Sequence, residues 1–137
     1  MKYLLDTGPL VALLDEREKP TLKEWAKNTL ASLPWPLITC EPVLTEAAHF
    51  LRTAAPLVEM VDSGELLLPF AVAEEASELM RILNAYHERK VALADACLLR
   101  MTELWRDSTV ITIDTGDFSI YRRFGREPIR FIAPPKQ

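Results

Sequence analysis

The sequence predicts an α/β fold in which a central, mostly parallel sheet is flanked by helices. Short apolar runs alternate with longer segments whose apolar residues recur at helical spacing, as in successive strand–helix units. Two of those runs end on an aspartate, the place where open α/β sheets bind their ligands. No repeat, low-complexity stretch or linker interrupts the 137 residues, so one domain spanning 1–137 is expected.

Lys2-Tyr3-Leu4-Leu5 reads as a buried strand, turning at Asp6-Thr7-Gly8 into a helix whose first turn accommodates Pro9. Thr21-Leu22-Lys23-Glu24 has the form of a capping box. Behind it, Leu22, Trp25, Ala26, Thr29, Leu30 and Leu33 keep helical spacing, which places Trp25 in the core. Pro34-Trp35-Pro36 ends that helix and exposes Trp35, and Leu37-Ile38-Thr39 reads as the second strand. Pro42 opens a helix with a stripe through Val43, Ala47, Phe50, Leu51 and Ala54, Glu46 lying at its border beside Phe50.

A short helix follows from Pro56 to Gly64, then a strand at Leu66-Leu67-Leu68. Ala76, Leu79, Met80 and Leu83 mark the next helix. Cys97, Leu98, Met101, Leu104 and Trp105 mark another, with Asp95 in its first turn. Thr109 to Ile113 is a β-branched strand, and Arg130-Phe131-Ile132 a short last one.

With 49% hydrophobic and 26% charged residues, the composition is that of an ordinary soluble domain. Mean hydropathy is +0.03 and no apolar run has the length of a bilayer span, so no membrane partner is expected. Only Tyr3-Leu4-Leu5 precedes the first aspartate, too little for a signal-peptide core, and a cytoplasmic location is the expectation. Cys40 and Cys97 lie in apolar surroundings and read as buried reduced thiols. With only His49 and His87 available there is no sequence-local zinc set. A net charge of −4 counts against nucleic-acid binding, although an acidic site supplies part of that charge and a metal would offset it.

Four acids stand inside otherwise apolar segments. Asp6 follows Tyr3-Leu4-Leu5, and Glu46 is embedded in Val43-Leu44-Thr45-Glu46-Ala47-Ala48. Asp95 interrupts Leu93-Ala94-Asp95-Ala96-Cys97, and Asp114 ends Val110-Ile111-Thr112-Ile113. Taken singly, each has an ordinary role: Asp6 as a cap or turn residue, Glu46 as a solvated helix edge, Asp95 facing a helix dipole, Asp114 in a turn. Together they describe one cluster around a hard divalent cation, because carboxylates near a core are costly without compensation. An all-oxygen set without Cys or His suits Mg²⁺ or Mn²⁺. Such a cation polarises a scissile phosphate, stabilises the leaving oxygen and activates water. Thr7, Thr45 and Thr112 stand ready to hydrogen-bond the ligands or water. Dinucleotide and phosphate-loop glycine patterns, the nucleophile elbow and the paired aspartates of aspartyl-phosphate phosphatases are all missing.

The segments LLDTGPLVALLD, TCEPVLTEAAHFL, LADACLLR and ITIDTGDFSIYRRFGREPIRFI closely resemble PIN-domain endoribonucleases, and most of all the VapC-type toxins of toxin–antitoxin pairs. The resemblance runs nearly the whole chain, in order and at similar spacing. It implies a three-layer PIN-like fold, with Asp6 matching the first-strand aspartate and Glu46 the helix glutamate. Asp95 matches the aspartate of the Asp-Ala motif and Asp114 the acid after the fourth strand. Thr112 fits the threonine that often stands two residues earlier, and Asp117 a less uniform helper position.

The resemblance further implies a Mg²⁺- or Mn²⁺-dependent endoribonuclease cleaving structured RNA (tRNA, rRNA or mRNA) by in-line attack of a metal-activated water. Products would carry 5′-phosphate and 3′-hydroxyl ends. A homodimer and a cognate antitoxin, its C-terminal arm over the acidic groove, belong to the same expectation. The alternatives are an RNA-processing nuclease without an antitoxin, a non-catalytic PIN-like binding module, and a metal phosphatase acting on small phosphoesters. Tyr121-Arg122-Arg123-Phe124-Gly125-Arg126 is the only basic cluster with interleaved aromatics, and Arg122 and Arg123 are the candidate RNA contacts, against a solvated surface.

Overall fold

A computed structural model describes residues 1–136. The strands are β1 (Lys2–Leu5), β2 (Leu37–Ile38), β3 (Leu66–Leu67), β4 (Ser108–Ile111), β5 (Arg122–Arg123), β6 (Glu127–Pro128) and β7 (Phe131–Ile132). The helices are α1 (Thr7–Leu14), α2 (Pro20–Ala31), α3 (Glu41–Leu51), α4 (Ala55–Asp62), α5 (Ala76–Ala85), α6 (Leu93–Leu104) and α7 (Thr115–Ile120). Five strands form one sheet in the order β3-β2-β1-β4-β7, every pair parallel and helices flanking it, as the PIN-like expectation required. The remaining two, β5 and β6, make a small antiparallel hairpin.

Burial explains the strand order. All of β4 is buried and so are Leu4 and Leu5 of β1, which makes these two the central pair, in register Leu4↔Val110 and Leu5↔Ile111. Parallel strands buried on both faces read as continuous apolar runs, and Val110-Ile111 is one. From β1 the chain builds outward through β2 to β3, then returns to β4 on the other side and continues to β7. The direction of build reverses between β1 and β4. A crevice opens beyond the carboxyl ends of strands at such a reversal. Asp6 and Asp114 follow those two ends.

Several helix details depart from the sequence expectation. Thr21 does not cap α2: the helix begins one residue earlier, with Pro20 at its first position and Lys19 as an N-cap that makes no side-chain bond. Proline lacks an N–H that the first turn would leave unpaired anyway, and its fixed φ suits that position. Phe50, placed on the apolar stripe of α3, is 58% exposed. Met80 and Leu104 are exposed as well: α5 buries only Leu79 and Ile82, and it meets α6 partly through charged pairs, Arg81 with Glu103 and Glu78 with Arg100. Trp25 and Trp105 pack against the core while Trp35 stays exposed, and Cys40 and Cys97 are free and buried, all as read from the sequence.

One buried charge ties this half together. The side chain of Glu103 is fully shielded and ion-paired to Arg81 and Arg100, and it accepts the Phe124 backbone N–H at 2.6 Å. Arg100 Nε also donates to Glu75 at 2.6 Å. Removing Glu103 takes one partner from each arginine, leaving Arg81 with Glu78 and Arg100 with Glu75, and deprives the Phe124 N–H of its acceptor. Glu103→Ala should therefore cost about 2 kcal/mol in urea unfolding. The arginines left behind can partly rehydrate, which holds the loss below that of a fully buried pair. An unchanged unfolding midpoint would show the network to be incidental.

Candidate metal and active site

Asp6 sits where β1 ends and α1 begins, and its backbone N–H still pairs with the Ile111 carbonyl of β4 at 3.0 Å. The carboxylate is 6% exposed and caps α1: Oδ1 accepts the Thr7 N–H at 2.8 Å. Oδ2 accepts the Thr112 hydroxyl at 2.7 Å. The same Thr112 oxygen accepts the Asp114 N–H at 2.9 Å, so one buried threonine spans the two central strand ends. Thr7 donates its hydroxyl to Glu46 Oε1 at 2.8 Å, joining α1 to α3. Both threonines thus bond acids of the cleft. Thr45 does not, since its hydroxyl bonds back to the Glu41 carbonyl on the exposed side of α3.

Asp95 occupies the third position of α6 and receives the Tyr121 hydroxyl on Oδ2 at 2.8 Å. Asp114 caps α7, its Oδ1 accepting the Asp117 N–H at 2.9 Å. Oxygens of Asp95, Asp114 and Asp117 lie within 4.8 Å of one another. Asp6, Glu46, Asp95 and Asp114 line one cleft of about 300 Å³ together with Thr7, Gly8, Val11, Phe50, Ile113 and a further acid, Glu18, that the sequence did not single out. These two groupings share Asp95 and Asp114, so the five predicted acids form one continuous strip. Gly8 belongs to the site for a steric reason, since a β-carbon there would overlap Ile113 beside Asp114.

Electrostatics follow from this crowding. Burial raises the Asp6 pKa, outweighing the bonds from Thr112 and Thr7, and the charges of Glu46 and Asp114 act in the same direction. Asp95 is pushed up to about 7, chiefly by burial, against the Tyr121 bond and with the charges of Asp6, Asp114 and Asp117 adding to it. Burial also raises Asp114. Asp117 is held low by the Arg89 guanidinium, which donates to its Oδ1 at 2.8 Å.

Among the described residues, no lysine, arginine or histidine side chain is paired with Asp6, Glu46, Asp95 or Asp114. Apart from Asp117, which Arg89 pairs, these carboxylates on rigid element ends are met only by hydroxyl and N–H donors, a donor set that a hard divalent cation fits.

The basic cluster is tied into the fold by backbone contacts. Arg122 Nη1 donates to the carbonyls of Ser119 at 2.8 Å and Tyr121 at 3.0 Å, closing the C-terminal end of α7. Arg123, its side chain 17% exposed, donates to the carbonyls of Thr102 and Arg106 and pairs with Glu127. Both guanidiniums are bonded to the fold through Nη1, which leaves fewer of their donors for the RNA contact expected of them. The contacts of Tyr121 and Arg89 with the acids were missed. For Tyr121 a signal existed: Asp114, Asp117, Phe118 and Tyr121 recur at the spacing of one helix face.

The PIN domain family model matches residues 3–123, a span that includes all five acids. No curated protein matches the chain.

Proposed function

The chain belongs to the PIN domain family, whose members are in general Mg²⁺- or Mn²⁺-dependent nucleases, and we propose on that premise that it is an endoribonuclease and the toxin of a toxin–antitoxin pair. The observation that carries the catalytic part is Asp6. A buried carboxylate with a raised pKa and no cationic side chain faces Glu46, Asp95 and Asp114 across one cleft.

In this reading Asp6, Glu46, Asp95 and Asp114 hold the cation directly or through water, and Asp117 assists. A bound divalent ion supplies charge stabilisation at the scissile phosphate and lowers the pKa of the attacking water. The protein's own part is orientation. Thr112 fixes Asp6 and the start of the Asp114 loop, and Thr7 fixes Glu46. Phe50 and Ile113, exposed at the walls of the cleft, shield it from bulk water once a phosphodiester lies there. No side chain need act as nucleophile. Homodimerisation, an antitoxin covering the groove and a cytoplasmic location belong to the toxin part of the proposal. No helix of the described residues is long and apolar enough to cross a membrane.

Purified protein should cleave RNA in Mg²⁺ or Mn²⁺, but neither in EDTA nor with Zn²⁺ as sole ion, leaving 5′-phosphate ends and small phosphoesters untouched. Full activity in EDTA ends the metal reading. The toxin part has its own test. Expression of the chain alone should arrest a bacterial culture, and an arrest undiminished by Asp95→Asn would divorce toxicity from nuclease chemistry.

A further inference from the structure

Tyr121 is the member of the aromatic and basic segment that reaches the acids. Only 2% exposed, its ring is wedged between two edges: Tyr86 at 5.3 Å and 73°, and Phe118 at 5.3 Å and 83°. The hydroxyl donates to Asp95 Oδ2 at 2.8 Å. The backbone on its far side is pinned as well. The Arg122 N–H donates to the Tyr86 hydroxyl at 2.8 Å, and the Arg122 guanidinium donates to the Tyr121 carbonyl at 3.0 Å. A phenol hydroxyl on a ring held this way has little freedom to wander.

Asp95, by contrast, is on the first turn of α6, and among the described residues the Tyr121 hydroxyl alone bonds its carboxylate. A carboxylate turns about its last bond over a broad, shallow range. The Tyr121 hydroxyl restricts that rotation and leaves the group facing Asp114 and Asp117, whose oxygens come within 4.8 Å. We infer that Tyr121 is a positioning residue: its hydroxyl holds Asp95 in the orientation that divalent-cation binding uses. Groups that bond a metal ligand from behind typically set metal affinity or activity by about 10–100-fold. The inference rests on the metal-dependent reading above.

Tyr121→Phe removes the hydroxyl and keeps the ring between Tyr86 and Phe118. Binding of Mn²⁺ alone, followed by loss of the free-ion paramagnetic signal, should weaken about 10-fold. The melting temperature in EDTA should stay close to wild type. Tyr86→Phe is the comparison: it deletes a hydroxyl that bonds the Arg122 N–H and no acid, and it should weaken Mn²⁺ binding less than Tyr121→Phe does. A fluorotyrosine at position 121 keeps the hydroxyl as a stronger donor and should tighten Mn²⁺ binding, an unchanged affinity overturning the inference. This arm decides the matter should the Phe variant not fold.

Wild-type affinity in Tyr121→Phe overturns the inference. So does an equal loss in Tyr86→Phe, or a fluorotyrosine protein that binds as poorly as Phe. If the wild type itself binds no Mn²⁺, the metal reading falls and this one with it. If the wild type binds Mn²⁺ but cuts no RNA, the nuclease reading falls while the role of Tyr121 stands on its binding data.

Discussion

Asp6→Asn should lower RNA cleavage by about 1000-fold or more at saturating Mg²⁺, with little change in the far-UV spectrum. Asparagine has nearly the size of aspartate, and its carbonyl oxygen can still accept from the Thr7 N–H or the Thr112 hydroxyl, so α1 keeps its cap. What is lost is the one acid fixed by both central strands. A divalent ion contributes several kcal/mol of transition-state charge stabilisation. At 1.4 kcal/mol per tenfold, losing about 4 kcal/mol gives the stated factor. Single-turnover kinetics on one RNA oligonucleotide measures it. A loss under about tenfold would mean that Asp6 serves the helix start and not the chemistry.

The second large effect is on stability. In EDTA, wild type should lose stability relative to Asp95→Asn as pH rises from about 4 to about 8. The sign follows from linkage. Asp95 has an ordinary carboxyl value of 3.8 in the unfolded chain and about 7 in the folded one. Between those values the folded state holds a proton that the unfolded chain has released, so its contribution is full below the lower value and lost through the upper one. Asp6 and Asp114, also raised, act in the same direction. Asp117, Asp107 and Glu127 are lowered and act in the opposite one, which is why the comparison with Asp95→Asn is needed.

At pH 8 without metal, Asp95→Asn should therefore melt higher than wild type although it cuts no RNA. Mg²⁺ at about 100 times its dissociation constant should raise wild type by about 2.7 kcal/mol. For a chain of this length that is roughly 10 °C. The variant should gain less. A variant that melts lower in EDTA and answers Mg²⁺ as wild type does would make Asp95 a helix-start residue and nothing more.

How far the molecule could be read from its sequence depends on what each feature needed. Strands β1 and β4 were legible because burial on both faces leaves continuous apolar runs. The acids were legible because each breaks such a segment. That Thr112 would bridge two of them was half legible, from its place two residues before Asp114, while its bond to Asp6 spans 106 positions and has no local trace. The exposure of Phe50 and Met80 was hidden because periodicity reports a helix's apolar face but not the width of what packs on it. The backbone contacts of Arg122 and Arg123 were hidden for a related reason. Guanidiniums beside aromatics look alike in sequence whether they await phosphate or close backbone carbonyls.

The adjacency of β1 and β4 also sets when the site can exist. Residues 2–5 pair with residues 108–111, and the acid strip runs from Asp6 to Asp117. Pairings so far apart in the chain form late, after the entropy of closing the intervening loop has been met. During synthesis, the first aspartate waits for the last while more than a hundred residues emerge. A truncated or half-made chain holds Asp6, Glu46 or even Asp95 without the strand that completes the central pair. The acids therefore come together only when β4 pairs with β1, and on the proposed nuclease reading the growing chain would stay inert beside the RNA-rich machine that makes it.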